Sequence, residues 1–236
     1  MNLILKGELM PDDWTALYRE FGYTDGLYCP QDVRSAIGAL PEGEELVLEI
    51  NSVGGSVDAA AEIYSLLQNC RNPTRAVIQS LAASAASYMI LPCNRIEISR
   101  PAQIMIHQAS MGEWGNKRNH AHAARVLDAA DRSILSCYAA RCGEKCSAEE
   151  LDAMMEDETW LTAEDAVRIG LADAIYGETA EPEGTEPVLL TACVAGNVVR
   201  AMRTLPDVRE LMARREAQED RERLELEKRR YAAPGL

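Results

Sequence analysis

The apolar and polar positions of the chain alternate between the two periods that strands and helices impose. Leu3-Ile4-Leu5 reads as a short strand closed by Gly7, and residues 10–30 show little periodicity and read as an irregular excursion. From Gln31, Val33, Ala36, Ile37 and Leu40 fall at helical spacing until Pro41 stops them. Glu45 to Ile50 alternates as a strand and runs straight into Asn51-Ser52-Val53-Gly54-Gly55-Ser56. Ala60, Ile63, Tyr64 and Leu67 then mark a helix from about Val57. Next come a strand over Arg75 to Gln79, a small-residue helix at Ser84, and strands over Arg95 to Ser99 and Ile104 to His107. The glycine-punctuated stretch Met111 to Gly115 precedes a long helix, about Asn119 to Arg141, with a stripe of Ala121, Ala124, Leu127, Ala130 and Ile134. Ser147 with Glu150, and Thr162 with Asp165, read as capping boxes; Gly170 ends the second of these helices and Ala174-Ile175-Tyr176 is a last strand. Strands and helices alternating at these lengths predict an α/β domain with βαβ crossovers and a mostly parallel sheet.

The pattern breaks at Gly177. Residues 177–187, rich in Gly, Pro, Glu and Thr, read as a linker between a domain at 1–176 and a tail at 188–236. In the tail an apolar stretch, Val188 to Val199, precedes a run from Arg209 to Arg230 in which Arg, Lys and Glu nearly cancel, the composition of a solvated helix. At 236 residues and 47% apolar the chain is globular, and its net charge of -14 argues against nucleic acid or an anionic membrane as a main partner. Seven cysteines without pairing logic fit a reducing cytoplasm. Cys137, Cys142 and Cys146 lie close together but have no evident fourth ligand, so no metal or other cofactor is expected. The N-terminus is too soon polar for a signal peptide, and no apolar run is long enough to span a membrane.

Candidate chemistry centres on Gln79 to Tyr88, where nearly every side chain around Ser84 is a methyl or smaller. A hydroxyl at such a strand-to-helix turn is how several hydrolase folds present a nucleophile, although a serine there also serves as an ordinary helix cap. Of the three histidines, His120 and His122 sit two apart on the long helix and decorate a solvated face. His107 ends the apolar strand Ile104-Met105-Ile106, either as a buried structural residue or as a general base beside Ser84.

Taken together, Asn51-Ser52-Val53-Gly54-Gly55, Ala82-Ala83-Ser84, Ile104-Met105-Ile106-His107-Gln108, and Leu161-Thr162-Ala163 with Gly170-Leu171-Ala172-Asp173 resemble the Clp protease proteolytic subunit (ClpP) family in order and spacing. The resemblance runs from about Leu3 to Tyr176. It implies the ClpP/crotonase-like repeated β-β-α spiral with a handle helix, here followed by the charged helical tail. It places Ser84 on the nucleophile, His107 on the base, and the backbone N–H groups of Gly55 and Ala85 on the oxyanion hole, although Ala85-Ala86 replaces the family's Met-Gly. The family's aspartate position holds Glu158, with Asp157 in reserve; by itself Glu156-Asp157-Glu158 reads as an acidic helix end.

The resemblance further implies a homo-oligomeric ring, with Met111 to Asn116 pairing an extended substrate and Asn119 to Arg141 as the handle. A first strand beginning at Leu3 suggests that the axial loops which face an AAA+ unfoldase are missing. With the insertion around Tyr18 to Pro30 and the charged tail, this resembles the phage and prophage relatives that act as capsid-maturation proteases. The expectation is a cytoplasmic serine endopeptidase cutting capsid or scaffold protein without an ATPase. The alternatives are an ATP-dependent subunit partnered with an unfoldase, a crotonase-fold acyl-CoA enzyme, and a catalytically dead structural ring.

Overall fold

The computed structural model describes residues 1–178 and 206–232. The sheet is built on β3 (Leu46–Gly55) and β4 (Thr74–Ala83), which lie side by side at its centre. Leu46, Leu48, Ile50, Ala76 and Ile78 are fully buried there, as expected for parallel strands covered on both faces. β1 (Asn2–Leu9) pairs with β3 and with the two-residue β2 (Leu27–Tyr28). On the other side β5 (Arg95–Ile98) pairs with β4 and with β8 (Ala174–Ile175), giving the order β2-β1-β3-β4-β5-β8, parallel throughout. β6 (Gln103–Ile106) takes over from β5 at the far end of β4, where Leu81 to Ala83 pair with Gln103 to Met105. β7 (Thr159–Leu161) joins β6 antiparallel. A bulge between β3 and β4, where Ile50 faces Ile78 but Ser52 faces Ala82, inserts residues into β4 just before it changes partner. Beyond that irregularity the end of β4 pairs with β6 instead of β5.

Among the described residues the α-helices are α1 (Asp12–Glu20), α2 (Pro30–Ala39), α3 (Val57–Gln68), α4 (Ala85–Met89), α5 (Lys117–Cys142), α6 (Ala148–Glu156), α7 (Ala163–Ile169) and α8 (Val208–Ala232). Their starts follow the expected chemistry: Ser56 caps α3 through Ala59 N–H, and Ser147 with Glu150 closes a reciprocal capping box on α6. Thr162 caps α7, but the Asp165 carboxylate accepts the Thr162 hydroxyl rather than a backbone N–H, so the second box is not reciprocal. Gly170, at φ 88°, ends α7 in the left-handed conformation glycine favours.

Two expectations are corrected. Residues 10–30 are not an irregular excursion: they hold α1 and β2. α1 is short, and its buried Leu17 and Tyr18 are covered together with Met10 and Leu27 by Leu211 of α8, so the face that stabilises it comes from the far end of the chain. The Tyr18 hydroxyl also donates to Pro206 O at 2.6 Å. On α5, Ile134 is buried and Leu127 and Ala130 are half-buried, but Ala121 and Ala124 are exposed; in the first three turns of the helix Ala123 is the one buried residue, and its packing against the core lies from its middle onward. The linker beyond residue 178 and the stretch Val188 to Val199 lie outside the described residues. No helix among the described residues is long and apolar enough to cross a membrane.

Candidate active site

Ser84 stands where β4 ends and α4 begins. Its N–H continues the β4–β6 pairing by donating to Met105 O at 2.9 Å. Its own backbone then turns to φ 54°, ψ −129°, a region that costs a non-glycine residue of order 1–3 kcal/mol and persists only where surroundings over-determine it. Small neighbours make the turn possible: Ala82, Ala83, Ala85 and Ala86 are all buried with no side chain beyond a methyl. Ser84 occupies the cap position of α4, yet its side chain makes no capping hydrogen bond. The hydroxyl instead lies 2.7 Å from His107 Nε2.

His107 is delivered by β6, one residue past Ile106. The chain beyond it is pinned on two sides, by Gln108 N–H to Met155 O at 3.1 Å and by Ala109 N–H to Asp131 Oδ1 at 2.6 Å. Asp131 belongs to α5, so that helix helps hold the strand end carrying the imidazole. α5 also reaches the serine turn. The Tyr138 hydroxyl is 2.5 Å from Ser87 Oγ, and Ser87 Oγ donates to Ser84 O at 2.6 Å. Burial raises the Tyr138 hydroxyl pKa, keeping it a neutral donor.

The glycine turn at the end of β3 forms the opposite wall. A Cβ on Gly54 would lie 2.6 Å from Ala83 O, 2.8 Å from Ser84 Cβ and 2.9 Å from Ala85 N, so the Gly54 backbone abuts the serine turn directly. Gly54 N–H is already engaged by Ser52 Oγ at 3.1 Å. Gly55, at φ 146°, has no room for a side chain either, because its Cβ would strike Leu9 O at 2.0 Å.

The structure therefore brings Ser84, His107, the Gly54-Gly55 turn and Ala85 N into one place. Among the described residues no carboxylate makes a hydrogen bond to the imidazole. Ile106 pairs with Thr159, and extending that register one step sets Glu158 opposite His107. Glu158 has φ 50°, its side chain is exposed, and neither it nor that of Asp157 makes a hydrogen bond to the imidazole. His120 and His122 are exposed on α5. Among the described residues no group of three or more His, Cys, Asp or Glu is placed to hold a metal ion. Cys142 is a buried thiol whose pKa burial pushes up to about 11.

Reading the sequence residue by residue missed Gly54, Ser52, Asp131 and Tyr138. The first two sit inside the Asn51 to Gly55 motif and were within reach; the last two act across the fold and carry no local signal. One turn of α4 beyond Ser84, a cavity of about 330 Å³ opens between α3 and α5, lined by Val57, Tyr64, Tyr88, Ile134 and Cys137. A larger groove of about 560 Å³ lies between α2 and α3, lined by Arg34, Glu62 and Asn72; neither cavity has Ser84 or His107 in its lining.

Comparison with known proteins places the chain in a family. The family model described as Clp protease matches residues 36–179. The chain is 34% identical over 141 residues to the ATP-dependent Clp protease proteolytic subunit 1 of Chlamydia abortus, covering 56% of this chain and 70% of that protein. It is 33% identical over 141 residues to the same-named subunit of Chlamydia muridarum, with the same coverage. It is 29% identical over 153 residues to the ATP-dependent Clp protease proteolytic subunit 2 of Cutibacterium acnes, covering 62% of this chain and 69% of that protein. With the family model spanning more than half of its length, the chain belongs to the Clp protease family.

Proposed function

We propose that the chain is a serine endopeptidase in which Ser84 attacks the peptide bond, His107 is the general base, and Glu158 orients the imidazole. The observation that carries this reading is the 2.7 Å contact between Ser84 Oγ and His107 Nε2 at a turn whose serine gives up its capping bond. In this mechanism His107 Nε2 accepts the hydroxyl proton as Ser84 Oγ bonds to the scissile carbonyl carbon. The oxyanion is received by the N–H groups of Gly55 and Ala85, and the protonated imidazole then gives its proton to the leaving amine. Water hydrolyses the acyl-enzyme by the reverse use of the same groups. Glu158 enters by a side-chain rotation toward the histidine it faces in the strand register. The cavity beside α4, one turn from Ser84, is the nearest receptacle for the side chain preceding the cut; its lining mixes Val57 and Ile134 with Asp58, Ser65 and Ser133.

The finer reading is a capsid-maturation protease working as a homo-oligomeric ring on capsid or scaffold protein. The first turns of α5, with Val126 45% exposed, leave apolar surface suited to a second copy, and the charged α8 docked on α1 offers a tether that raises local substrate concentration. A second reading, partnership with an ATP-driven unfoldase, is favoured by the names of the relatives, which are ATP-dependent subunits.

Fluorophosphonate labelling of the purified chain tests the chemistry. Labelling at Ser84, abolished in Ser84→Ala and His107→Ala together with peptide hydrolysis, is the expected result. Turnover retained in Ser84→Ala would refute the mechanism, and an unlabelled parent would mark a dead structural ring. Cleavage of co-expressed capsid protein without nucleotide separates the maturation role from ATP-dependent degradation of a folded tagged substrate by chain plus unfoldase.

A further inference from the structure

The wall that faces Ser84 is held by a buried hydroxyl network to which no role has so far been assigned. Ser52 is 1% exposed and Tyr28 2% exposed, and their oxygens lie 2.7 Å apart. Ser52 Oγ donates to Gly7 O at 2.7 Å and accepts from Gly54 N–H at 3.1 Å. A serine hydroxyl has one proton, and here Gly7 O takes it, so the Tyr28 hydroxyl must be the donor to Ser52. The Met89 sulfur, 3.7 Å from the same Tyr28 oxygen, is the weaker alternative acceptor. Burial raises the Tyr28 pKa, which keeps that proton in place. Ser52 Oγ therefore spends its full hydrogen-bonding capacity on three elements: β2 through Tyr28, β1 through Gly7 O, and the glycine turn of β3.

The network sits at the first of two register shifts beside the wall. β1 shifts register between Gly7 and Glu8, and β3 shifts against β4 between Ile50 and Ser52. One side-chain oxygen spans the first of these shifts, holding Gly7 O of β1 on one side and Gly54 N of β3 on the other. The atom it holds, Gly54 N, precedes the amide of Gly55 by one residue, and the Gly54 backbone abuts Ser84 Cβ and Ala85 N.

We propose that Ser52 is a positioning residue that, with Tyr28 behind it, sets the Gly54-Gly55 turn and so the location of the Gly55 N–H relative to Ser84. This inference rests on the oxyanion role proposed above for Gly55. A donor misplaced by a fraction of an ångström stabilises the ground state little less than before but the tetrahedral intermediate much less, so the loss belongs in kcat.

The experiment compares Ser52→Ala, Ser52→Thr and Tyr28→Phe with the parent full-length chain. The readouts are kcat and KM on a fluorogenic peptide, affinity for a peptide boronate that forms a tetrahedral adduct, and melting temperature. Ser52→Ala is expected to lower kcat by about 10- to 100-fold, less than outright loss of a donor, with KM within about 2-fold. Boronate affinity falls in parallel, and Ser52→Thr, which keeps the hydroxyl, restores both. Tyr28→Phe preserves the packing and is expected to lower kcat and boronate affinity together by a smaller factor, which keeps the test open should Ser52→Ala fail to fold. A lowered melting temperature with unchanged kcat and boronate affinity in whichever variants fold would make the network purely structural and overturn the proposal. Ser84→Ala run alongside separates the two readings. If it is inactive while Ser52→Ala and Tyr28→Phe match the parent, this inference alone fails; if it remains active, both fail.

Discussion

Replacing Gly54 by alanine adds a single methyl at the point where the glycine turn meets the nucleophile turn. At φ +91° an L residue is strained whatever space it finds, a cost of order 1–3 kcal/mol. The methyl would also lie 2.6 Å from Ala83 O, 2.8 Å from Ser84 Cβ and 2.9 Å from Ala85 N, and all of these belong to backbone or to the reacting residue itself. Restoring ordinary contact separates the two turns by about 0.5 to 0.8 Å, and misplacement on that scale costs up to about 10²-fold in rate. Gly54→Ala is therefore expected to stay folded, with a melting temperature lower by roughly 2–10 °C, while fluorophosphonate labelling and peptide turnover both fall about 10²-fold. Gly38→Ala is the matched control: that glycine is the next-to-last residue of α2 with nothing within 4 Å of its added Cβ, so alanine there should leave labelling and turnover at the parent level. Folded Gly54→Ala labelling within about threefold of the parent would refute the placement of the Gly54 backbone against the reacting turn.

Glu158→Ala is expected to slow hydrolysis by about 10²-fold, less than Ser84→Ala or His107→Ala, with Asp157→Ala near the parent rate; the reverse order would move the acid to Asp157. Leu211 is fully buried against α1, so Leu211→Asp should release α8, seen as faster tryptic cleavage at its arginines with peptide turnover unchanged; unchanged cleavage would show that this contact does not hold the helix. Burial raises the Glu8 carboxyl pKa above its ordinary 4.5, so its charge opposes folding above that range and the opposition disappears in acid, where folded and unfolded states are both protonated. Glu8→Gln should accordingly raise the melting temperature at pH 7 and lose that advantage below pH 4.5; a gain that persists in acid contradicts the assignment.

Local chemistry made much of this protein legible from its residues. The alternation from Glu45 to Ile50, the helical spacing from Ala60 to Leu67 and the caps at Ser147 and Thr162 are properties of a few consecutive residues, and the structure shows those elements close to where the spacing puts them. Ser84 and His107 could be singled out for the same reason, since small neighbours and a strand end are written in adjacent letters. Only the tertiary structure decided whether Ser84 caps a helix or meets a histidine, because the answer depends on Leu81 to Ala83 pairing with Gln103 to Met105. It also decided the fate of α1, whose buried face is completed by Leu211 from the other end of the chain, and of Glu158, which the register sets opposite His107 but which is exposed and makes no hydrogen bond to the imidazole. The hydroxyls of Ser52 and Tyr138 have partners 24 and 51 residues away, respectively. Periodicity reports which face of an element is buried; it carries no information about which distant group meets that face, because that is settled only when the whole core packs.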